Sequence, residues 1–308
     1  MPPCPHNLAL LLVFAVLLPL AACRTGMPGG TTGVGNFALR ERTWVRYDPT
    51  QPSKSPRPLL VALHGYGGTG QDMRRLTGLD AVAERHGFSV VYPDGLDKRW
   101  RDGRLAGDGV DDVAFVTELV TAQLRTGQFD GRRVYLTAMS NGSFMLYRLL
   151  CERTELFAAA APVAGGMAPE LLATCKPSKP LPLLVIQNTD DPLVPYAGGP
   201  VASRDGSRGY VAPTGQTLLA WRRWNGQSGG VLDGDACNSW SLLAKPPDGT
   251  RAVLLDFCGG TAPVWLARIE AGGHTWPGGR AYLPEVFIGK TSRAWSASEG
   301  MWKFFSAL

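Results

Sequence analysis

The sequence lacks the features that would suit nucleic acid or a bound metal. Its formal charge of +5 is spread along 308 residues, and no Lys/Arg cluster carries interleaved aromatics, as a surface that tracks a phosphate backbone would. No CxxC pair and no His/Cys spacing typical of zinc occurs, so we expect no metal and no nucleic acid partner. Histidine is scarce as well, with four residues in the whole chain, which narrows any search for a catalytic base.

Long apolar runs are also scarce, and the one clear run lies at the N-terminus. Residues 8–20, LALLLVFAVLLPL, are too few for a good spanning helix but suit the core of a signal peptide. LAAC follows over residues 20–23 and resembles the bacterial lipobox, whose cysteine is acylated. The segment before the run lacks the Lys or Arg that signal peptides usually carry. We predict a lipoprotein signal peptide over 1–22, lipidated Cys23 with a flexible tether over 23–36, and one domain over 37–308.

Such a protein would be exported and held at the membrane of the cell envelope, or extracellular, and we expect a monomer. Its cysteine usage agrees with export, because four cysteines remain beyond Cys23 in the predicted domain: Cys151, Cys175, Cys237 and Cys258. An even number in an exported protein suggests two disulfides, and three pairings are possible. Proximity in sequence favours Cys151 with Cys175 and Cys237 with Cys258. Buried free thiols are the alternative.

Short apolar runs alternate with segments of helical spacing along the predicted domain. Strands are predicted over 37–47, 59–63, 89–92, 134–138, 157–163, 183–187, 252–257 and 264–269, and helices over 71–87, 113–124, 144–151, 214–225 and 296–305. Thr69 with Asp72 forms a possible capping pair, and Asp111 and Asp112 suit a helix N-terminus better than a catalytic dyad. The alternation predicts an α/β fold with a mostly parallel sheet covered by helices on both faces.

The strongest chemical signal is a serine between a predicted strand and a predicted helix. VYLTA over 134–138 runs into Met139, Ser140, Asn141 and Gly142. A serine on such a tight turn is forced outward over the carboxyl edge of the sheet, and the residues two before and two after it must be small. Ala138 and Gly142 meet that requirement, so Ser140 is the predicted nucleophile. A helix-capping role for Ser140 is the alternative.

A serine nucleophile needs a base, and His274 is the best placed of the four histidines. It lies in the glycine-rich segment GGHTWPGG, directly after the strand predicted over 264–269, where α/β enzymes place catalytic groups. A carboxylate between serine and histidine in the chain should orient the imidazole. Asp190 and Asp191 both follow the strand predicted over 183–187, and either could serve.

The oxyanion formed during ester attack needs fixed hydrogen-bond donors. The backbone N–H of Asn141, directly after the nucleophile, is one candidate. The other is the Tyr66 N–H in the LHGYGG segment, whose glycines let backbone approach a substrate. A simple turn after a strand is the alternative for this segment.

Taken together, these motifs resemble the polyhydroxybutyrate depolymerase and feruloyl esterase group of α/β-hydrolases. The likeness runs from about Trp44 to the C-terminus and includes LHGYGG, VYPDG, VDDVAFV, MSNGS, TDDPLVPYAGG, GGHTWPGG and GMWKFF. It implies a single-domain α/β-hydrolase fold, a triad of Ser140, Asp191 and His274, and ester hydrolysis without a cofactor. It also implies that Cys237 pairs with Cys258.

The sequence departs from the family pattern in two places. Ala138 stands where the family usually has glycine, and Gln187 with Asn188 stands where it often has His-Gly. Aromatic residues supply rigid apolar area for a substrate pocket, and four are predicted as its walls: Tyr66, Trp100, Tyr196 and Trp276. A purely structural place in the core is the alternative for each of them.

Two substrate classes fit the resemblance: feruloyl or acetyl esters of polysaccharides, and short hydroxyalkanoate oligoesters. No linker and polymer-binding module follows Leu308, which we take to favour soluble or oligomeric esters over solid polyester. A polyhydroxybutyrate depolymerase proper is the main alternative. A serine peptidase with the same residue order and an inactive glycan-binding lipoprotein are two further ones.

Overall fold

The computed structural model describes residues 29–37, 40–53, 55–105, 107–202, 207–230, 236–241 and 246–308. The predicted signal peptide and Cys23 lie outside these residues. Twelve strands are described: β1 Gly30–Phe37, β2 Arg40–Tyr47, β3 Arg57–Leu63, β4 Ser89–Pro93, β5 Phe129–Met139, β6 Ala159–Val163, β7 Leu183–Asn188, β8 Gly199–Pro200, β9 Tyr210–Val211, β10 Asn238–Ser241, β11 Arg251–Asp256 and β12 Val264–Glu270.

Helices pack against both faces of the sheet that these strands form. They are α1 Gly70–Thr77, α2 Leu79–His86, α3 Asp112–Arg125, α4 Asn141–Glu152, α5 Pro169–Thr174, α6 Thr214–Trp224, α7 Glu285–Ile288 and α8 Ala297–Ser306, with 3₁₀ turns at Leu96–Lys98 and Thr154–Leu156. Two large clusters of buried apolar side chains cover the two sheet faces. Within the described residues, no helix has the length and apolar character needed to cross a bilayer.

The main sheet has ten strands in the order β1-β2-β4-β3-β5-β6-β7-β12-β11-β10. The six central strands, from β4 to β12, run parallel, and the outer strands at each edge pair antiparallel. The central strands are almost wholly buried, as continuous apolar runs covered on both faces should be. The predicted α/β-hydrolase architecture is confirmed. The parallel strands bring the predicted nucleophile, orienting carboxylate and general base to the same edge of the sheet, at the carboxyl ends of β5, β7 and β12.

The predicted tether is wrong for residues 30–36, because these residues form an edge strand. Gly30 to Phe37 pair antiparallel with Tyr47 to Arg40. The glycines that suggested flexibility have a packing role here, since a Cβ on Gly33 would lie 2.2 Å from ring atoms of Trp44. The folded domain therefore begins before Phe37.

One predicted helix is two helices in the structure. The segment 71–87 breaks at Gly78, which adopts a left-handed conformation (φ 63°, ψ 21°) between α1 and α2. The capping box of Thr69 and Asp72 at the start of α1 is confirmed, with both reciprocal bonds present.

The two aspartates before α3 have different roles. Asp111 caps the helix as predicted, because its carboxylate accepts from the Ala114 N–H at 2.9 Å. Asp112 is fully buried and forms an ion pair with the buried Arg42 at 2.6 Å, while also accepting from the Arg101 N–H at 2.8 Å. The capping role predicted for Asp112 is therefore incomplete: its carboxylate joins β2 to the segment before α3.

Two disulfides are present, Cys151 with Cys175 and Cys237 with Cys258. Of the three possible pairings, the structure has the one favoured from sequence proximity. Disulfides form and persist in oxidising compartments, so they place the chain among exported proteins.

Candidate active site

Ser140 sits on a strained turn between β5 and α4. Its backbone angles, φ 54° and ψ −124°, are rare for any residue with a side chain. The turn closes only because its neighbours are small: a Cβ on Gly142 would lie 2.5 Å from the His64 carbonyl oxygen, and one on Gly165 would lie 2.7 Å from the Ser140 carbonyl oxygen. Ala138 is fully buried within the sheet, so alanine fits where the family usually has glycine.

Ser143 holds this turn from within, a role that the sequence reasoning missed. Its hydroxyl lies 2.8 Å from the Ala138 carbonyl oxygen and 2.9 Å from the Val163 carbonyl oxygen, and it accepts from the Val163 N–H at 3.1 Å. It thereby joins the turn to β6. The repeated serine in SNGS was the signal available in the sequence.

His274 and Asp191 form a buried pair at the ends of two adjacent parallel strands. Asp191 follows β7 and His274 follows β12, and Nδ1 of the imidazole lies 2.7 Å from Oδ2 of the carboxylate. The other carboxylate oxygen accepts from the backbone N–H groups of Leu193 and Val194, both at 2.8 Å. The carboxylate is therefore fixed, and it can hold the imidazole with Nε2 free to accept a proton.

Asp190 occupies a different environment. It is exposed and accepts from the Thr189 hydroxyl at 2.7 Å, while its backbone N–H donates to the Gly272 carbonyl at 3.0 Å. Of the two candidate aspartates, only Asp191 contacts the imidazole of His274.

Tyr282 contacts the histidine loop and also lines the cavity beside Ser140. The Tyr282 hydroxyl donates to the His274 carbonyl oxygen at 3.0 Å, and Tyr282 lines a cavity of about 120 Å³ with Ser140. We call this the Ser140 cavity, and its other walls include Tyr66, Met73, Leu76 and Met139. Among the described residues, the Ser140 hydroxyl has no hydrogen bond, and nucleophile–base bonds commonly tighten only when substrate binds.

The loop after β3 is held by His64, which is almost fully buried. Its Nδ1 lies 2.7 Å from the Gly65 carbonyl oxygen, and its Nε2 accepts from the Gly95 N–H at 2.9 Å. These contacts require a neutral ring that carries its proton on Nδ1. Burial also lowers the pKa of His64 below its ordinary value. The imidazole thus joins the loop to the segment after β4.

Tyr66 and Asn141 present backbone N–H groups that donate to no acceptor within the described part of the chain. The Asn141 side chain is fixed by Trp100, whose N–H it accepts from at 2.8 Å, and by Asp102, to which it donates at 2.6 Å. Their predicted role as oxyanion donors stays a prediction, and their free amides are compatible with it.

The four aromatic residues predicted as pocket walls lie in different environments. Tyr66 is 60% exposed and lines the Ser140 cavity. Trp276 does not line it, because its ring is fully buried in the core and its Nε1 donates to the Ser298 hydroxyl at 3.0 Å. Trp100 is mostly buried, and its Nε1 donates to the His64 carbonyl at 2.9 Å; it does not line the Ser140 cavity but lines a second cavity with Tyr66 and Asn141. Tyr196 is half-buried and lines none of the cavities described here.

Gln187 and Asn188, at the end of β7, connect the loops around the site. The Gln187 amide donates to the Gly165 carbonyl at 2.6 Å, and the Asn188 amide donates to the Thr275 carbonyl at 3.1 Å. Their departure from the family pattern therefore supplies contacts to the serine turn and to the histidine loop.

Comparison with known proteins identifies the family of this chain. A family model described as "Esterase PHB depolymerase" matches residues 43–173. NocK of Nocardia uniformis subsp. tsuyamanensis, which is named as an esterase, is 31% identical over 79% of this chain and 72% of its own length. This chain belongs to the PHB depolymerase esterase family. Membership makes it a carboxylic ester hydrolase.

Some relatives match over a smaller share of their own length. Feruloyl esterase B of Piromyces equi is 26% identical over 70% of this chain, which spans 39% of that protein's length. Among solved structures, an acetyl xylan esterase from Aspergillus awamori is similar, with a TM-score of 0.57 and 16% identity over 80% of this chain and 94% of that one. At this identity the likeness shows the fold alone.

Proposed function

We propose that this chain is a serine esterase in which Ser140 is the nucleophile, His274 the general base and Asp191 the carboxylate that orients the histidine. The observation that carries the proposal is the 2.7 Å contact between His274 Nδ1 and Asp191 Oδ2, on the sheet edge from which Ser140 projects. An imidazole held through Nδ1 offers Nε2 to a serine hydroxyl. The strained turn holds that hydroxyl out of the helix.

The reaction proceeds in two steps. The Ser140 hydroxyl attacks the ester carbonyl carbon while His274 takes its proton, and the carbonyl oxygen becomes an oxyanion that the Tyr66 and Asn141 amides stabilise. The carbon–oxygen bond to the alcohol breaks, and the alcohol leaves with the proton from His274. Water then repeats the sequence on the acyl-enzyme, releasing the acid and restoring the serine.

The substrate that we propose is a soluble carboxylic ester of modest size, such as a short hydroxyalkanoate oligoester or a feruloyl or acetyl ester of a polysaccharide. The small, mostly apolar Ser140 cavity supports a short acyl group. A depolymerase acting on solid polyester is the alternative, favoured by the family description. Release of 3-hydroxybutyrate or ferulate from matched soluble esters, compared with release from polymer film, separates these possibilities.

We propose that this chain is a lipoprotein held at a membrane by lipid attached to Cys23. Metabolic labelling with an alkyne fatty acid tests this, and Cys23→Ser should abolish both the label and membrane fractionation. A labelled Cys23→Ser protein would contradict the anchor.

The catalytic proposal is tested with p-nitrophenyl acetate. Ser140→Ala should lower kcat/KM by at least about 10⁴-fold, because the residual rate comes from binding and the oxyanion donors alone. Ser306→Ala is the matched control: Ser306 is exposed at the C-terminal end of α8, so the substitution should change stability by less than about 0.5 kcal/mol and leave turnover unchanged. Unchanged hydrolysis by Ser140→Ala would reject the proposal.

A further inference from the structure

A second cavity shares Tyr66 with the Ser140 cavity and has a different character. It encloses about 160 Å³ and is bordered by Tyr66 and Asn141, the two predicted oxyanion donors. Four arginines also line it, Arg99, Arg101, Arg104 and Arg208, and we call it the arginine cavity. A substrate bound at Ser140 would therefore have a space lined by charged side chains next to its carbonyl group.

Three of the four arginines are neutralised by aspartates. The pairs are Arg99 with Asp108 at 3.0 Å, Arg101 with Asp108 at 2.7 Å and with Asp97 at 2.8 Å, and Arg104 with Asp102 at 2.6 Å. The Arg101 guanidinium lowers the pKa of Asp108 to about 2, so Asp108 stays ionised near neutral pH. Three arginines and three aspartates thus balance.

Arg208 is the remaining cation. Its guanidinium lies over the Tyr66 ring, 4.9 Å from the ring centroid, and within the described residues it forms no ion pair with a carboxylate. A guanidinium stacked on an aromatic ring keeps the edge of its planar fork available for an anion. Because Tyr66 lines both cavities, this edge lies close to the proposed oxyanion site.

We propose that the arginine cavity binds a free carboxylate on the alcohol side of the ester, with Arg208 as its principal cation. This inference rests on the proposed function. The acyl group is bonded to Ser140 in the intermediate and so must lie in the Ser140 cavity, which leaves the arginine cavity for the leaving alcohol. A hydroxy acid esterified through its hydroxyl has this form, with a neutral acyl group on one side and a carboxylate on the other.

The test compares two substrates that differ only in charge: the ester dimer of 3-hydroxybutyrate with a free carboxylate, and the methyl ester of that dimer. Arg208→Gln should lower kcat/KM for the free acid by about fivefold, mostly through KM, the size expected of a partly exposed charge pair. The methyl ester should change by less than about twofold. Arg208→Lys should restore part of the loss because it keeps the charge.

Arg132→Gln is the matched control, since Arg132 is exposed and precedes the core of β5, at the opposite end of that strand from Ser140. It should alter neither substrate. Added NaCl should weaken the preference for the free acid in the unsubstituted protein but not in Arg208→Gln.

Inhibition of p-nitrophenyl acetate hydrolysis gives a second readout that does not require the dimers to be turned over. The 3-hydroxybutyrate anion should inhibit more strongly than neutral 3-hydroxybutanamide, and Arg208→Gln should remove the difference. Equal inhibition by both compounds, or equal effects of Arg208→Gln on both dimers, would overturn the carboxylate site. Failure of the serine mechanism is recognised separately, by acetate ester hydrolysis that persists in Ser140→Ala.

Discussion

The orienting carboxylate offers the most discriminating substitution, Asp191→Asn. The Asp191 carboxylate is fully buried and the His274 imidazole is 3% exposed, with 2.7 Å between Asp191 Oδ2 and His274 Nδ1. Asparagine preserves shape and can still accept from the Leu193 and Val194 amides. Its NH₂ group would then face Nδ1, which must become an acceptor, so the imidazole proton moves to Nε2. That tautomer cannot take the proton of Ser140.

The expected loss is about 10⁴-fold in kcat, or about 5 kcal/mol of transition-state free energy. The assay is p-nitrophenyl acetate hydrolysis near pH 7.5, with circular dichroism to verify folding. Asp190→Asn is the matched control, one residue away and exposed, and it should stay within about twofold of the unsubstituted rate. A folded Asp191→Asn variant whose rate stays within tenfold of the unsubstituted protein, or a larger loss in Asp190→Asn than in Asp191→Asn, would show that Asp191 does not orient the imidazole.

Three further predictions concern stability. Burial lowers the pKa of His64, so the unfolded chain takes up a proton before the folded protein does as pH falls below about 6.5. The free energy of unfolding should therefore fall by up to about 1.4 kcal/mol per pH unit. Urea midpoints between pH 7.5 and 5 measure this dependence, and His64→Gln should make it less steep. Asp112→Asn should lower the free energy of unfolding by about 3 kcal/mol, because it leaves the buried Arg42 guanidinium without its charge partner. Asp111→Ala should lower it by about 1 kcal/mol, because one helix cap is lost. Similar losses in urea melts would contradict the different roles of the two aspartates. Replacing Cys151 and Cys175 together by serine should lower stability by about 3 kcal/mol with the active site intact, and calorimetry with esterase assays checks both.

Much of the central fold was predictable because parallel strands buried on both faces have continuous apolar sequences. The runs that end near Leu63, Met139 and Asn188 are such strands, and each is followed by residues with polar chemistry. The order of serine, aspartate and histidine along the chain then defines which strand ends must meet. Local sequence was sufficient for these features.

Features that depend on distant contacts were not predictable. Gly33 belongs to a strand because Trp44 packs against it, and composition alone suggested a tether. Trp276 was expected in a pocket, yet it is buried against Ser298 from α8. Conversely, Tyr282 enters the site through a contact with the His274 carbonyl that no local motif encodes. Such assignments require knowing which segments meet in three dimensions.

The decisive experiment identifies the residue that becomes phosphonylated by a serine-directed reagent. The protein is reacted with a fluorophosphonate, digested and analysed by tandem mass spectrometry, alongside the His274→Ala variant. We expect one adduct per chain, located on Ser140, with labelling slowed by orders of magnitude in the variant. Labelling at another residue, or undiminished labelling of Ser140 without the imidazole, would contradict the proposed mechanism.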